Sequence, residues 1–315
     1  MIAPPTSTFS YVSGQAGTGK TWLARDWLER DPHAAVCSTT GISAINIGGT
    51  TLNALLGYFD TASMQDAYAV GRIARRLRQL RDHGTHWIIL DEVSMLPAAQ
   101  LTVLVRSIQE VNRTRGAYQP DMRLTVVGDF AQLRPVNEPF AFTSPLWAEV
   151  AAHTTVLTKI HRQADEAFVR ALQAVRTGDV EAAEAFFVPR LQPQTDSAFV
   201  GTTIKALNVD VDRYNLLQLD ALGGRPVTCT AIRSGTPRTE WRHIPSTLSL
   251  KLGALVMILS NKRRGAHLDF EYVNGDLGTL LDVTEGGHPT ASIRLQRTEQ
   301  VVRVEPVVRE HVRFE

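Results

Sequence analysis

A lysine and a threonine close the glycine-rich start of SGQAGTGKTWLARDWL, and Gly14-x4-Gly19-Lys20-Thr21 satisfies the phosphate-loop pattern GxxxxGK[ST]. In such a loop the glycines let backbone N–H groups turn inward on a β-phosphate, and the helix that follows adds its positive dipole end. Gly14, Gly17, Thr18 and Gly19 would form the cradle, Lys20 would reach the β- and γ-phosphates, and the Thr21 hydroxyl would ligate Mg²⁺. The competing reading is a plain structural turn. TFSYVS before the loop reads as a strand and TWLARDWLERD after it as a helix, a context that favours the cradle.

A bound triphosphate also calls for an acid that holds Mg²⁺ through water and a base that activates the attacking water. Residues 86–90 form an apolar run that ends in Asp91 and Glu92. Asp91 is the expected metal carboxylate and Glu92 the residue that polarises water; an exposed acidic strand end is the alternative. A third run, LTVVGD, ends at Asp129 and continues as FAQLRPV. Gln132, just beyond it, is placed to hydrogen-bond a γ-phosphate, although a loop glutamine is commonly only solvated.

These residues need a sheet to hold them. Short β-like runs alternate with amphipathic stretches through the first half, the signature of a parallel sheet wrapped by helices. Strands are expected at Phe9–Ser13, Ala35–Thr39, Trp87–Leu90, Leu124–Gly128 and Thr155–Leu157, and helices at Lys20–Glu29, Thr51–Leu56, Asp66–Asp82, Ala98–Asn112 and Asp165–Thr177. A second α/β segment follows, with a strand at Ala198–Thr203 and a helix at Val209–Leu222. From about residue 225 the pattern turns β-rich, with runs at Val227–Ile232, Leu255–Leu259, Gly278–Val283, Thr290–Leu295 and Val301–Val304. The expected boundary places residues 1–155 in a nucleotide-binding domain and 156–315 in a second one.

Composition sets the remaining bounds. With 315 residues, 43% hydrophobic and 21% charged, the chain is an ordinary globular sequence of two-domain length. A net charge of +1 gives no global pull toward nucleic acid, so any such partner must be held by local basic patches. Cys37 and Cys229 lack metal-ligand spacing, which fits a reducing cytoplasm. No apolar run is long enough to span a membrane, and the first ten residues do not read as a signal peptide. The cytoplasm is the expected compartment, at the nucleoid for a bacterial or phage protein, and a nucleus or mitochondrion is compatible.

GQAGTGKT, CSTTGISAINIGGTTLNALLG, LDEVSML, GDFAQLRPV and LTKIHRQ, in that order, resemble the motifs of superfamily 1 DNA helicases that move 5′ to 3′, above all the petite-integration-frequency (PIF) family with its RecD-like cousins. GALVMILSN and EYVNGDLGTLLDV are similar to later motifs of that family, so the resemblance spans about residues 9 to 283. It implies two RecA-like domains, the second incomplete and carrying the β-rich portion. It also implies Mg²⁺-dependent ATP hydrolysis coupled to movement on single-stranded DNA, with a forked duplex as an optional substrate. Gln132 would be the γ-phosphate sensor and Arg162 an arginine finger from the second domain.

Thr40 and Thr50 fall where the family contacts DNA phosphates, though threonines in such a loop also serve as helix caps. Lys262 and Arg263 form a basic candidate for DNA phosphates, while the arginines of GRIARRLRQLRDH read mainly as a solvated helix face. Asn274 matches the VNG motif, and a hairpin turn explains Asn-Gly equally well. Several departures stand out. No glutamine precedes Gly14, Asn53 stands where a His is common, and Arg134 stands where a Pro is common. No QG stretch with a second nucleotide-facing arginine follows. The alternative function is therefore a nucleotide-binding module or helicase fragment with little motor activity until a further segment or a protein partner completes it; a small-molecule kinase would not need the ordered later motifs.

Overall fold

Apolar runs in the first half form strands β1 (Phe9–Gly14), β2 (Ala34–Ser38), β3 (Thr50–Thr51), β4 (Trp87–Asp91), β5 (Arg123–Gly128) and β6 (Thr154–Leu157). All pair in parallel, in the order β3-β2-β4-β5-β1-β6. The computed structural model describes residues 2–191, 202–232, 246–260, 262–263, 270–272, 275–284 and 289–308. It divides into two compact units, Met1–Gln194 and Thr195–Glu315. The boundary expected between residues 155 and 156 falls within β6, inside the first unit.

Helices cover both faces of this sheet: α1 (Lys20–Arg30), α2 (Gly41–Asn46), α3 (Leu52–Leu56), α4 (Thr61–Ala69), α5 (Arg72–Asp82), α6 (Ala98–Arg113) and α7 (Trp147–Ala151), with α8 (Glu166–Thr177) and α9 (Val180–Phe187) after β6. Alternation along β4 decides which face each residue serves. Ile88 and Leu90 join Leu124 and Val126 of β5 against α6, whose Leu101, Leu104, Val105 and Ile108 are buried. Trp87 and Ile89 point the other way, with Val12 and Val36, onto Leu23, Ala24 and Trp27 of α1. A strand buried on both faces reads as a continuous apolar run, as WIIL does.

The single helix expected over Asp66–Asp82 is instead two. Gly71 takes φ +70, and α5 starts behind it. A helix cannot pass through a left-handed residue, so the chain turns there and presents Ile73, Ala74 and Leu77 to the core. The upstream end starts earlier than expected because Asp60 and Ser63 form a reciprocal capping box. Sequence periodicity also missed α2, α7 and α9, the first two of which are at most six residues long.

The second unit contains α10 (Asn208–Ala221) and strands β7 (Val227–Thr230), β8 (Thr247–Leu250), β9 (Leu255–Met257), β10 (Lys262–Arg263), β11 (Phe270–Tyr272), β12 (Leu277–Thr284), β13 (Thr290–Leu295) and β14 (Val301–Val304). The β-rich character expected from about residue 225 is present. Its main sheet has the antiparallel order β14-β13-β12-β9 and buries Ile258, Tyr272, Leu280, Ile293, Leu295 and Val302. Residues 198–201 of the strand expected at Ala198–Thr203 lie outside the described residues, as does Asn274.

The break at Gly71 is testable. Nothing lies within 4 Å of a Cβ built there, so a substitution meets only the backbone cost. Gly71→Ala is expected to destabilise the protein by about 1–2 kcal/mol, read as a melting point lower by a few degrees. An unchanged or raised melting point would mean that α4 and α5 can merge.

Candidate functional site

Five parallel strands bring the expected chemistry to one edge. Register pairs Gly14 with Leu157, Ser13 with Gly128 and Ser38 with Asp91, so β1, β2, β4, β5 and β6 end side by side at their carboxyl ends. Open parallel sheets bind ligands at that edge, outside the strand ends. The loop Gln15–Gly19 leaves β1 there and feeds α1, whose N-cap is Gly19.

Inside the loop, Thr18 Oγ1 donates to Gln15 O at 2.8 Å and closes the turn. Gly17 has φ +81, and a Cβ on it would stand 2.7 Å from Arg162 Cβ. No side chain is tolerated where the two segments meet. His161 N–H donates to Gly17 O at 2.7 Å and ties the segment after β6 to the loop. Lys20 Nζ donates to Gly14 O and Gln15 O at 2.8 and 2.9 Å, so its ammonium lies across the loop's concave side. Burial pulls this ammonium below the ordinary lysine value, and the Asp129, Glu92 and Asp91 carboxylates oppose that pull.

Across from the lysine, Thr21 Oγ1 donates to Asp91 Oδ2 at 3.0 Å, while Asp91 Oδ1 accepts the Glu92 N–H at 2.9 Å. The Asp91 carboxyl is 2% exposed, and burial raises its pKa against the help of those two hydrogen bonds and of Lys20. Glu92 follows at φ +60, an unusual conformation for a residue with a side chain. Its pKa is raised first by burial and then by the Asp91 charge, with Lys20 acting the other way. A hard-oxygen pair of one hydroxyl and one carboxylate is what Mg²⁺ takes from a protein when phosphates and water supply the remaining ligands. The donor set fits that ion.

A cavity of about 410 Å³ is lined by Gly17, Gly19, Lys20, Thr21, Glu92, Gln132 and Arg162, together with Ala16, Trp22 and His161. Of the residues expected from sequence, it thus gathers the phosphate loop, the base candidate, the sensor candidate and the arginine. Arg162 reaches it from the connection between β6 and α8, within the first compact unit.

The expected DNA contacts are spread more widely. Thr40 Oγ1 accepts the Ser43 N–H at 3.3 Å in the first turn of α2, the cap that the sequence left open. Thr50 opens β3 and pairs with Cys37. Lys262 belongs to the second unit and stands 3.6 and 3.8 Å from Glu271 and Glu305, so its charge is shared with two carboxylates. Arg263 pairs through its backbone with Phe270.

Sequence reasoning missed Arg176. Its Nη1 donates to both carboxylate oxygens of Asp129 at 2.6 Å, and Asp129 is 2% exposed. Asp129 also accepts the Ala131 N–H through Oδ1 and the Gln132 N–H through its backbone carbonyl, so the arginine braces the turn that presents Gln132. A signal was available: Val169, Leu172 and Arg176 recur at i, i+3 and i+7, which puts a charge on the apolar face of α8.

Removing one partner of this pair should cost more than removing both. The guanidinium is 32% exposed, so Arg176→Met is expected to lose roughly 1–3 kcal/mol, between the values for exposed and buried pairs. Asp129→Asn in the Arg176→Met background should then cost less than it does alone, as urea unfolding of the four proteins would read. Strict additivity would deny the pair its bracing role.

The likenesses of the chain agree with this site. A family model described as an AAA domain matches residues 2–188. The ATP-dependent DNA helicase PIF1 of Saccharomyces cerevisiae (strain YJM789) is 30% identical over 302 residues, covering 86% of this chain and 33% of that protein. The ATP-dependent DNA helicase Pif1 of Bdellovibrio bacteriovorus is 29% identical over 292 residues, 87% of this chain and 64% of that one. The chain therefore spans between a third and somewhat under two thirds of these relatives' lengths. Among solved structures, the Pif1 helicase from Candida albicans superposes with a TM-score of 0.72 at 25% identity, over 95% of this chain and 75% of that one. Pif1 from Bacteroides, solved in complex with ADP-AlF3 and ssDNA, shares the fold with a TM-score of 0.65 at 23% identity, over 95% and 70%. With the family model matching more than half of its length, the chain belongs to the AAA domain family, and it is similar to Pif1 helicases.

Proposed function

We propose that the cavity at the end of β1 and β4 binds ATP with Mg²⁺ and hydrolyses it, and that the chain is the nucleotide-driven part of a 5′→3′ DNA helicase acting on single-stranded DNA, including the single strand of a fork. The observation that carries the reading is the 3.0 Å hydrogen bond from Thr21 to Asp91. It joins the phosphate loop to the acidic strand end at the spacing a Mg²⁺–phosphate site needs. The names of the relatives, ATP-dependent DNA helicases, support the same reading. Among the described residues no helix is long and apolar enough to cross a membrane, which is compatible with work on DNA in a cytoplasm, nucleus or mitochondrial matrix.

Each residue's task follows from its position. The loop amides and Lys20 hold the β- and γ-phosphates, with Lys20 trading two carbonyl oxygens for phosphate oxygens. Thr21 and Asp91 hold Mg²⁺, which supplies charge neutralisation on the phosphates. Glu92 takes a proton from the attacking water. Gln132 and Arg162 face the transferring phosphoryl group, where an arginine is worth about 10³ to 10⁵ in rate. The Thr40 hydroxyl, already accepting from Ser43, keeps its proton to donate to a DNA phosphate, and Thr50 lies on the neighbouring strand end. In the second unit Lys262, Arg263 and Asn274 are the proposed backbone contacts. Residues 156–315 would act as the second RecA-like domain.

Lys20→Ala tests the nucleotide. ATP with Mg²⁺ should raise the melting temperature of the parent and leave that of the variant where it is; equal shifts would sink the assignment. DNA-stimulated ATP hydrolysis then separates a motor from a nucleotide-binding module: a rate unchanged by single-stranded DNA would favour the module.

Glu92 gives a pH test. A base with a raised pKa is protonated, and so inactive, at a higher pH than an ordinary glutamate. The acid limb of kcat/KM, which reports the free enzyme, should therefore lie above the usual carboxylate value of 4.5, with the rate falling as pH falls through it. Glu92→Gln should keep ATP binding while turnover drops by about 10² to 10⁴. Retained turnover in the variant would remove Glu92 from the chemistry.

A further inference from the structure

The cavity is lined by an indole to which the proposed chemistry gives no task. Trp22 follows Thr21 in the first turn of α1, lines the same cavity, and is 62% exposed. Trp27 and Trp87 are 1% and 0% exposed, and Trp147 packs against the core. An exposed indole forgoes the large apolar burial that Trp27, Trp87 and Trp147 gain, so its place calls for a reason.

A docking patch for another protein is a poor reason. Such patches are contiguous apolar areas, whereas the neighbours of Trp22 one helical turn on are Arg25 and Asp26, the latter ion-paired to Arg30. Its cavity partners, Lys20, Thr21, Glu92, Gln132 and Arg162, are polar. The indole is an isolated aromatic plane among groups suited to an anion.

Geometry points to the other end of the same ligand. Lys20 and Trp22 are two residues apart, so they project from opposite sides of the helix end, about 200° apart. The cavity that would take phosphates at the loop and Lys20 is also lined by Thr21 and Trp22, so one ligand can reach both ends. We propose that Trp22 is the nucleobase platform of this site, stacking on the ring of a nucleoside triphosphate. The inference rests on the reading of the cavity as a triphosphate site. Stacking engages a ring face, which every base has, and not the hydrogen-bonding edges that tell bases apart. Trp22 therefore selects by ring area: purine nucleotides bind better than pyrimidine ones, and ATP and GTP bind alike.

Calorimetric titration of the parent, Trp22→Ala and Trp22→Phe with Mg²⁺ complexes of ATP, GTP, CTP and inorganic tripolyphosphate tests this. Base–aromatic stacking removed by alanine should weaken ATP and GTP binding by roughly tenfold or more. Tripolyphosphate, which has no base, should bind parent and Trp22→Ala equally, and Trp22→Phe should keep most of the purine affinity. ATP should quench the indole emission of the parent, and tripolyphosphate should not. Equal ATP affinity in parent and Trp22→Ala, or equal losses of ATP and tripolyphosphate, would overturn the platform while leaving the phosphate site standing. A strong preference of the parent for ATP over GTP would overturn selection by ring area. A parent that binds neither ATP nor tripolyphosphate would overturn the triphosphate reading and the platform with it.

Discussion

Keeping a carboxylate charged at 2% exposure requires partners from more than one part of the chain, and Asp91 draws them from two. Thr21 of the phosphate loop donates to one oxygen, and the backbone of Glu92 donates to the other. Removing either leaves a buried polar group short of a hydrogen bond, at a cost of the order of 1–3 kcal/mol. The loop after β1 and the turn after β4 are therefore positioned by the same pair of oxygens. Glu92 accepts an uncommon backbone angle as part of that arrangement, the kind of local strain that recurs at functional sites.

A second buried carboxylate repeats the device on the next strand. Asp129 is held by Arg176 from α8 and holds in turn the backbone of Ala131 and Gln132. Two acids at adjacent strand ends, each satisfied by a donor from a different helix, fix the walls of one cleft. The sheet supplies the spacing, and the charges supply the need for it.

How much of this was legible in sequence depends on the kind of signal. The strand β4 was readable because a strand buried on both faces is uniformly apolar, and WIIL can be little else. The phosphate loop was readable because its glycines answer to local geometry. The break at Gly71 was not, since the arginine-rich stretch after it continues the helical period and only the backbone angle at one glycine interrupts it. Arg176 stayed hidden because its partner lies 47 residues away and becomes a neighbour only through the sheet. The convergence of Arg162 on the loop was likewise invisible locally. It depends on β6 pairing beside β1, a choice of strand order that no short window contains.

That pairing has a consequence for tolerance to insertion and deletion. Thr154–Leu157 is held to β1 by a ladder whose register is fixed residue by residue, and His161 is tied to Gly17 by a backbone hydrogen bond. The span between Leu157 and His161 is thus a ruler with both ends clamped. A side chain in it can change at modest cost, whereas one residue more or fewer must break a clamp or slide the strand. Length in this segment is constrained more tightly than identity, and variation among natural versions of the chain should run accordingly.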